Sequence, residues 1–416
     1  MSKPSKVSPD TEFSVLFLIE NVPYSLDSRV RREAHLVQML GGLVYVICPS
    51  DGTGLFKQVD GVSVYQYPKP SCGEGFVAHL LEYMTSLFFQ SILAAYVFFR
   101  HNFDVIHAGN PPDILWIVAA PYKALGKKYI FDHHDLVPEL YQVRFADKIP
   151  WLYKIMLWLE RRNMQLADHV ISTNDTFRLF AMQRGGKLSE QVTVVRNGPW
   201  LERDFPEVDF NFEGKTKPTV RVGYLGIMNP QDNLDNLIEV VRIIRKDWLR
   251  EDIEFVLVGS GDAYPSLVAL KDQLNLSDAI SMPGTLPWTQ VIETLMGVDI
   301  CVQPDPPTIF NRNLTMNKLM EYMALGKAIV AYDMPETKVS GGAAIVYASG
   351  TSAQDLATAI VALADDPVYR KNLGIAARNR IEDQLSWECQ RISLARVYRK
   401  VLPFHVSEIA IAAISK

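Results

Sequence analysis

The sequence predicts an α/β protein built from two Rossmann-like domains, each a doubly wound parallel sheet, that face a cleft. Three observations predict this fold class. The chain has 416 residues, short β-branched runs alternate with helical patterns in both halves, and one stretch between the halves has no periodicity. A chain of this length exceeds what one hydrophobic core normally holds, so two domains are expected. Alternating strands and helices are typical of a parallel sheet that is covered on both faces.

Continuous apolar runs have the length and composition of buried strands. In the first half they cover residues 14–19, 43–48, 104–107, 129–132, 169–172 and 192–196. In the second half they cover residues 219–225, 253–258, 279–282, 299–303, 328–331 and 344–347. Helical patterns lie between the strands, for example at 29–40 and 152–166, and the chain after residue 366 is helical to about residue 401.

The stretch from residue 202 to residue 218 is rich in charge, proline and phenylalanine and is the predicted linker. We therefore expect an amino-terminal domain over residues 1–205 and a carboxy-terminal domain over residues 206–388. A final helical segment over residues 389–416 is expected to cross back to the first domain.

Composition narrows the classes of function. The chain carries 42 basic and 47 acidic residues, for a net charge of −5, which argues against general nucleic-acid binding. The four cysteines form no CxxC pair, so neither disulfides nor a zinc site is expected and a reducing cytoplasm fits. The polar amino terminus lacks the apolar core of a secretory signal.

The stretch from Asn313 to Val330 predicts a polar loop, a short helix, a glycine stop and a buried strand. Asn317, Lys318 and Glu321 recur at spacings of three and four and so share one helix face. The unpaired first amides and the positive end of the helix dipole attract anions. A lysine there favours phosphate, and a carboxylate one turn later suits a ribose diol. The pattern predicts a nucleotide-diphosphate site, and the alternative is a solvated Lys–Glu pair.

Ligands of such sheets bind at the carboxyl ends of the strands, where loops enter helices. Glycine lets a ligand approach the backbone, although a tight turn between strand and helix would require it equally. The candidate donor-binding residues of these loops are Gly223, Gly226, Gly259, Gly261, Gly284 and Thr285.

Several segments together resemble the retaining glycosyltransferases of family 4, which have the GT-B fold, and in particular the bacterial branch that builds surface polysaccharides. The order and spacing of these segments match over roughly residues 13–402. This resemblance implies a first domain that binds the acceptor and a second domain that binds a UDP- or GDP-sugar. The segments that carry it are 23–34 (PYSLDSRVRREA), 104–113 (DVIHAGNPPD), 131–139 (FDHHDLVPE), 196–198 (RNG) and 316–336.

The family's usual signature is a pair of glutamates separated by seven residues. Glu321 matches the second glutamate and would bind the ribose hydroxyls. The first glutamate, which usually contacts the donor sugar, is replaced by Asn313. An asparagine can still donate and accept hydrogen bonds there.

Many members also place an arginine and a lysine on the diphosphate. Here Tyr224 follows Gly223, and no lysine or arginine occurs between Tyr224 and Arg242. Lys318, helped by the amides of Met316 and Asn317, is the expected diphosphate contact, and Arg312 and Arg29 are the alternatives.

The segment from Phe131 to Asp135 ends a predicted strand of the first domain. One of its histidines matches the family's donor-contacting histidine. We prefer His134, with Asp135 orienting the ring; a structural role for both histidines is the alternative. Adjacent strand residues point to opposite faces, so a metal pair is not expected. In this family the leaving phosphate is thought to take the acceptor's proton, which requires neither a metal nor a carboxylate pair.

Asp27, Arg29 and Asn110 are the candidate acceptor-side residues. A helix-capping Asp27 beside a solvated basic face is the alternative. Residues 76–99 and 151–162 are rich in aromatic side chains, and the second segment also carries basic ones. They predict peripheral contact with the cytoplasmic face of the inner membrane, where a lipid-linked acceptor would be presented; packing inside the first domain is the alternative.

The sequence thus predicts a cytoplasmic, retaining, metal-independent glycosyltransferase with no cofactor beyond its nucleotide-sugar co-substrate. It would transfer a hexose-type sugar to a lipid-linked or glycan acceptor in cell-surface polysaccharide synthesis, without a nucleic-acid partner. A nucleotide-sugar 2-epimerase shares the fold and is one alternative. A non-catalytic nucleotide- or glycan-binding scaffold is the other, because Asn313 and Tyr224 depart from the family pattern.

Overall fold

Two separate, mostly parallel sheets form the frame of the chain. The computed structural model describes residues 13–68, 76–145, 150–208, 210 and 219–414. Its contacts divide the chain into one unit, made of Met1–Arg196 and Gln390–Lys416, and a second unit, made of Asn197–Cys389. The predicted fold class of two Rossmann-like α/β units is confirmed.

The first unit contains an eight-stranded sheet with the order β3-β4-β2-β1-β5-β6-β7-β8, in which only the β3–β4 pair is antiparallel. The strands are β1 (Ser14–Leu18), β2 (Leu43–Pro49), β3 (Phe56–Val59), β4 (Val62–Tyr67), β5 (Val105–Gly109), β6 (Lys128–His133), β7 (His169–Ser172) and β8 (Val192–Val194). The helices between them are α1 (Ser28–Met39), α2 (Phe76–His101), α3 (Trp116–Ala124), α4 (Val137–Phe145), α5 (Pro150–Leu166) and α6 (Asp175–Gln183).

The β3–β4 hairpin was not predicted. Its first strand is half exposed and therefore lacks the continuous apolar run that marks the other strands. The available signal was the Asp60-Gly61 turn, whose residues both have positive φ (50° and 80°). Such a dipeptide is typical of a tight hairpin.

The second unit contains a six-stranded parallel sheet with the order β11-β10-β9-β12-β13-β14. The strands are β9 (Val220–Leu225), β10 (Ile253–Val258), β11 (Ile280–Gly284), β12 (Ile300–Gln303), β13 (Ala328–Ala331) and β14 (Val346–Tyr347). The helices are α7 (Leu201–Asp204), α8 (Leu234–Arg242), α9 (Tyr264–Gln273), α10 (Trp288–Met296), α11 (Asn317–Ala324), α12 (Pro335–Gly341), α13 (Ala353–Asp365) and α14 (Pro367–Arg380).

The first domain boundary differs from the predicted one after residue 205. Leu201 and Phe205 pack against a core cluster of the second unit, and Trp387 N donates to Pro199 O over 2.9 Å. These contacts place the start of the second unit at Asn197. Most of the predicted linker lies outside the described residues.

The last part of the chain is α15 (Trp387–Val401) followed by α16 (Glu408–Ile414). A π-helical turn over Ile381–Leu385 separates α15 from α14, so the predicted continuous helix is interrupted. From Gln390 onward the chain belongs to the first unit. Tyr398 of α15 is fully buried there, and its hydroxyl lies 2.7 Å from His107 Nδ1.

Candidate functional site

The loops that follow β9, β10 and β11 are joined at the carboxyl edge of the second sheet. Gly226 N donates to Val258 O over 3.1 Å, and Gly259 N donates to Gly284 O over 3.0 Å. A Cβ atom on Gly259 would lie 1.9 Å from Gly226 O, and φ of Gly259 is +131°. The glycine at 259 is therefore required by the contact between two loops.

Gly261 has the same role, because a Cβ atom there would lie 2.6 Å from Met228 O. Gly223 differs from its predicted role as a loop residue. It lies inside β9, where an added Cβ would be 3.0 Å from the Val298 side chain. Gly223 thus serves packing beneath the sheet. Thr285 is exposed directly after β11.

Lys318 is the basic group that these loops bring to the edge. Its Nζ lies 2.9 Å from Asp305 Oδ1 and 3.3 Å from the Tyr224 hydroxyl. It also lies 4.8 Å from the centroid of the Tyr224 ring. A Cβ atom on Gly226 would be 3.3 Å from Lys318 Cε. The lysine is therefore held beside the glycine loop by an acid and an aromatic ring.

Burial and neighbouring charges determine the protonation states of Lys318 and Tyr224. Burial by itself lowers the pKa of Lys318, but the charge of Asp305 outweighs burial and raises that pKa above its ordinary value. Burial raises the pKa of Tyr224 to about 12. At neutral pH the site contains an ammonium group beside a neutral phenol.

Asp305 was not among the predicted site residues. It is 1% exposed and follows β12 by two residues, at the edge where ligands of such sheets bind. An acid in that position of the Gln303-Pro-Asp305 segment was the signal in the sequence. In the sequence, Tyr224 stands out only because it occupies the position of the family's arginine. In the structure, its ring and hydroxyl contact Lys318.

Helix α11 begins at Asn317 without a side-chain cap, since Met316 is its N-cap and makes no capping hydrogen bond. The first amides of an α-helix have no partner within the helix and can bind an anion. Asn317 Oδ1 accepts from Asn197 Nδ2 over 3.0 Å, and Asn313 Nδ2 donates to Ile309 O over 2.7 Å. Glu321 is half-buried one turn along the same helix.

In the first unit, β6 ends at His133 and is followed by His134. The His134 side chain is 25% exposed, and its Nδ1 lies 3.2 Å from Asp132 Oδ2. The carboxylate that contacts the ring is therefore Asp132, and not Asp135 as predicted. The two residues of the strand end, Asp132 and His134, lie two positions apart and so share one side of the chain.

His133 points to the opposite side and is fully buried. Its Nε2 lies 3.3 Å from Glu160 Oε1, and its ring packs against Phe131 and Phe177 at centroid distances of 5.6 and 5.0 Å. His133 therefore has a structural environment, which leaves His134 as the histidine with an accessible ring.

Arg29 was predicted to line the acceptor side, and the structure gives it a different role. It is 6% exposed and binds Asp132 in a bidentate manner, with Nε 2.5 Å from Oδ2 and Nη2 2.7 Å from Oδ1. Its Nη1 and Nη2 also donate to Val195 O at 3.4 Å. Its hydrogen-bonding groups are used inside the unit, so Arg29 fixes Asp132 instead of contacting an acceptor.

Glu33 and His107 complete what we call the buried ion-pair cluster: Arg29, Glu33, His107 and Asp132. Ligand-type atoms of Glu33, His107 and Asp132 lie within 4.8 Å of one another. Arg29 Nε lies 3.2 Å from Glu33 Oε1 and 2.5 Å from Asp132 Oδ2. The guanidinium thus supplies the positive charge between the two carboxyl groups.

Asn110 also differs from its predicted acceptor-side role. It is 1% exposed, and its Oδ1 accepts from the backbone amides of His134 and Asp135 at 2.9 and 3.0 Å. Its Nδ2 donates to Asp135 O and to Asp113 Oδ1. Asn110 therefore shapes the loop that carries His134. Asp27 caps α1 by accepting from Val30 N over 2.9 Å, which is the alternative considered for it.

Both halves of the chain match known glycosyltransferase domains. Residues 27–198 match the glycosyl transferase 4-like domain, and residues 219–366 match the domain of glycosyl transferases group 1. The chain is 24% identical over 333 residues to the alpha-maltose-1-phosphate synthase of Mycolicibacterium smegmatis, covering 74% of this chain and 80% of that protein.

Solved structures show the same architecture. Sucrose-phosphate synthase of Thermosynechococcus elongatus superposes with a TM-score of 0.72 at 17% identity, covering 94% of this chain and 99% of that one. HepE of Anabaena, in a structure with UDP and glucose, superposes with a TM-score of 0.67 at 16% identity, covering 93% and 100%.

Two successive Rossmann-like units of this kind define the GT-B class of glycosyltransferases. The chain belongs to the group 1 glycosyltransferases, with a glycosyltransferase 4-like domain in its first half and a group 1 domain in its second half.

Proposed function

We propose that this chain is a retaining glycosyltransferase that transfers a sugar from a nucleotide-diphosphate sugar to a lipid-linked or glycan acceptor in cell-surface polysaccharide synthesis. The observation that carries the donor side is Lys318 at the edge of the second sheet. The lysine stands beside the Gly226 loop, and it belongs to the helix whose first amides have no side-chain cap. A cation and a helix N-terminus together favour a diphosphate.

The known relatives support this choice of donor. HepE of Anabaena has been determined with UDP-glucose as well as with UDP and glucose. We infer that Lys318 and the first amides of α11 bind the diphosphate of a UDP- or GDP-sugar, and that Glu321 binds the ribose hydroxyls. Asn313 takes the position at which the family's donor-sugar contact is expected.

The reaction we propose needs no metal and no second carboxylate. The acceptor hydroxyl attacks the anomeric carbon from the face that the diphosphate leaves, and the leaving phosphate oxygen takes the hydroxyl proton. The protein then contributes positioning and charge stabilisation. Lys318 and the α11 dipole stabilise the departing diphosphate, and His134 donates a hydrogen bond to the donor.

Donor binding is tested by thermal shift with UDP, GDP, ADP and CMP, with and without EDTA. A ligand at 100 times its dissociation constant raises the free energy of unfolding by about 2.7 kcal/mol. We expect stabilisation by one nucleotide, unchanged by EDTA and lost in Lys318→Met and Glu321→Ala. Lys246→Ala is the matched control, because Lys246 is an exposed lysine of the same unit, in the π-helical turn Ile243–Asp247 that follows α8. No shift with any nucleotide would refute the donor site and favour the scaffold alternative.

The stereochemical outcome is tested separately by NMR of the product linkage. A product with the anomeric configuration of the donor supports retention, and an inverted product refutes it. Release of a free epimerised sugar from the donor alone would instead identify a nucleotide-sugar 2-epimerase.

We also propose that the first unit contacts an anionic membrane surface. Among the described residues, the helical stretch Leu80–His101 is long and apolar enough to cross a membrane, with 22% of its most apolar window buried. Its inner face is fixed to the sheet, since Gln90 Nε2 donates to Ile19 O over 3.1 Å and Ser86 Oγ lies 2.7 Å from the Tyr67 hydroxyl. A helix held in this way suits surface contact better than spanning.

The outer face of α2 is an apolar stripe at helical spacing. Its exposed residues are Met84, Phe88, Ile92, Tyr96 and Phe99, of which Phe99 is 87% exposed. Contiguous exposed apolar residues on the surface of a protein mark interaction sites.

Helix α5 supplies exposed aromatic and basic groups nearby. Trp151 and Trp158 are 58% and 49% exposed, and Arg162 lies over the Trp158 ring at 5.6 Å. Trp158 contacts Trp116 of α3 at 6.2 Å, and α3 in turn contacts α2 through Tyr122 and Phe98 at 5.2 Å. Aromatic side chains beside arginines suit an anionic lipid interface.

Flotation with liposomes that contain anionic lipid tests this proposal. We expect the wild-type chain to float and Phe88→Ser/Ile92→Ser to remain at the bottom of the gradient. Leu249→Ser is the control, because Leu249 is an exposed apolar residue of the second unit, at 76% against 61% for Phe88 and 51% for Ile92. Equal flotation of both variants would refute the assignment of this face.

A further inference from the structure

Two histidines follow each other at the end of β6, and each has its own carboxylate. His133 pairs with Glu160 in the interior, whereas His134 pairs with Asp132 and remains a quarter exposed. Asp132 is in turn bound by Arg29 through two hydrogen bonds. The arrangement places a fixed carboxylate behind one nitrogen of an accessible imidazole.

We propose that Asp132 is a positioning residue for the transfer reaction: it holds His134 in one orientation with a proton on Nδ1, so that Nε2 is the ring atom presented to the substrate. The inference rests on the proposed function, because it takes His134 as the histidine that contacts the donor. It assigns the orienting role to a residue that the family pattern did not indicate here.

The geometry leaves the ring little freedom. Asp132 Oδ2 lies 3.2 Å from His134 Nδ1, and the backbone amide of His134 donates to Asn110 Oδ1 over 2.9 Å. On the β5 side, a Cβ atom at Gly109 would lie 2.9 Å from His134 Cε1. The absence of a side chain at Gly109 is therefore what lets the ring pack against the strand. The ring is restrained by Asp132 and by the close approach to Gly109, and its backbone is held by Asn110, so the remaining nitrogen is presented in one direction.

The carboxylate of Asp132 is itself immobile. It is 2% exposed, and both of its oxygens accept from Arg29. Arg29 cannot shift easily, because its Nη1 and Nη2 also donate to Val195 O. Bidentate Arg–carboxylate pairs are geometrically specific. Arg29, which is held by α1 and by Val195 directly after β8, therefore fixes Asp132, and Asp132 fixes the His134 ring.

The charges around the ring favour a protonated imidazole. The groups that act on it are Asp132 and Asp135 from its own segment, Arg29 from α1 and, across Asp132, His107 from β5. Burial lowers the pKa of His107 to about 4, so that ring is neutral. The charge of Asp132 acts on the ring more strongly than that of Arg29, and Asp135 adds a second acidic group near the ring.

Burial by itself lowers the pKa of His134, but the charge of Asp132 and its hydrogen bond outweigh burial and raise that pKa. Burial alone would raise the pKa of Asp132, but Arg29 and His134 hold it well below its ordinary range. A protonated His134 carries N–H groups at both nitrogens. The Nε2–H group is then a charged hydrogen-bond donor, and an oxygen of the nucleotide sugar or of its phosphate can accept from it.

A pH dependence follows with a definite sign. The raised folded-state pKa means that the charged form persists to higher pH than in an ordinary histidine and is lost as the pH rises through that pKa. Transfer should therefore decline on the alkaline side with the titration of His134. Asp132→Asn should move this decline to lower pH, because the amide removes the negative charge that stabilises the imidazolium.

The first experiment is a ¹⁵N NMR titration of the histidine rings in the full chain, with the His134 signal assigned from its loss in His134→Gln. We expect the neutral ring of wild-type His134 to carry its proton on Nδ1. In Asp132→Asn we expect the pKa of His134 to fall and the Nδ1 tautomer to lose its preference. Glu160→Gln is the matched control, because it alters the buried carboxylate of the neighbouring His133 and should leave the His134 titration unchanged.

The second experiment measures the kinetics of sugar transfer. For Asp132→Asn we expect kcat to fall by roughly 10- to 100-fold, as for groups that orient a functional imidazole, with little change in KM for the donor. The alkaline limb of the pH profile should shift as the NMR titration does. A purely structural role for Asp132 would lower the melting temperature without moving that limb.

The outcomes separate this inference from the function on which it rests. An Nε2-protonated neutral ring in the wild type refutes the inference even if Asp132→Asn does not fold. An unchanged His134 titration in Asp132→Asn also refutes it, as does an unchanged kcat. If His134→Gln keeps full activity, the catalytic role of His134 fails, and the positioning role fails with it. The tautomer would still report whether Asp132 orients the ring.

Discussion

Replacing Lys318 by methionine should destabilise the second unit, because the buried carboxylate of Asp305 loses its ionic partner. The substitution keeps an aliphatic side chain against the Tyr224 ring but removes the charge that lies 2.9 Å from Asp305 Oδ1. Asp305 is 1% exposed, and its Oδ2 has no hydrogen-bond partner among the described residues. Breaking a buried pair from one side costs about 3–5 kcal/mol.

The loss of unfolding free energy is limited, because the unpaired Asp305 carboxylate can bind a proton and become neutral. Protonating a carboxylate with an ordinary pKa of about 3.9 costs about 4 kcal/mol at pH 7 and about 1.5 kcal/mol at pH 5. We therefore expect Lys318→Met to lose up to about 4 kcal/mol of unfolding free energy at pH 7. The loss should shrink as the pH is lowered, since the folded variant binds a proton that the unfolded chain releases.

The double variant Lys318→Met/Asp305→Asn separates the structural role of the lysine from its ligand role. Removing both charges should restore most of the stability without restoring nucleotide binding. Urea unfolding followed by circular dichroism at pH 7 and pH 5 gives the free energies, and isothermal titration with UDP and GDP gives the binding. A single variant as stable as the wild type at pH 7 would refute the ion pair. A double variant that binds nucleotide normally would refute the ligand role.

Two further predictions concern packing. Gly259→Ala should cost about 1–3 kcal/mol and weaken nucleotide binding, because its Cβ would meet Gly226 O at 1.9 Å. Gly297→Ala, whose nearest contact would be 3.3 Å, is the control, and equal urea midpoints for both would contradict the loop contact. Tyr398→Phe should cost about 1–3 kcal/mol by removing the hydrogen bond to buried His107. An unchanged urea midpoint would show that α15 does not depend on that bond.

The sheets could be predicted from the sequence because strands that are buried on both faces carry continuous apolar runs. The edge hairpin could not be predicted in this way, since residues 56–59 alternate between exposed and half-buried. The linker was misplaced for a related reason. Residues 201–205 have no strand or helix periodicity in the sequence, and only their packing against the second core assigns them to it.

The site residues divide according to what determines them. Lys318, Glu321 and the glycines of the loops could be proposed from the sequence, because helix spacing and strand ends are local patterns. Asp305 carried a local signal as an acid at a strand end, although it was not predicted, whereas the role of Asp132 depends on a partner distant in sequence. Asp132 is joined to a residue 103 positions away, and no local pattern states which of two nearby aspartates will face an imidazole.

The same reasoning explains why Arg29 and Asn110 were assigned to the wrong task. Both lie at strand ends, where side chains can reach a ligand, and both are of a type that binds anions or sugars. Burial decides between ligand contact and support, since Arg29 is 6% and Asn110 1% exposed. A buried arginine needs an acid and a buried amide needs backbone partners, so these two residues support the His134 loop from inside.

The departures from the family pattern have one physical consequence. Where other members place an arginine and a lysine on the diphosphate, this chain has Tyr224 in contact with a lysine that is already paired with Asp305. Those two charges sum to zero before any donor arrives. If the donor binds as proposed, the diphosphate must then be stabilised largely by backbone amides at the start of α11 and at the glycine loops, whose partial charges act over short distances. Recognition of the phosphates would therefore depend more on how closely the loops approach them than on net charge. The tight contact between residues 226 and 259 is consistent with this.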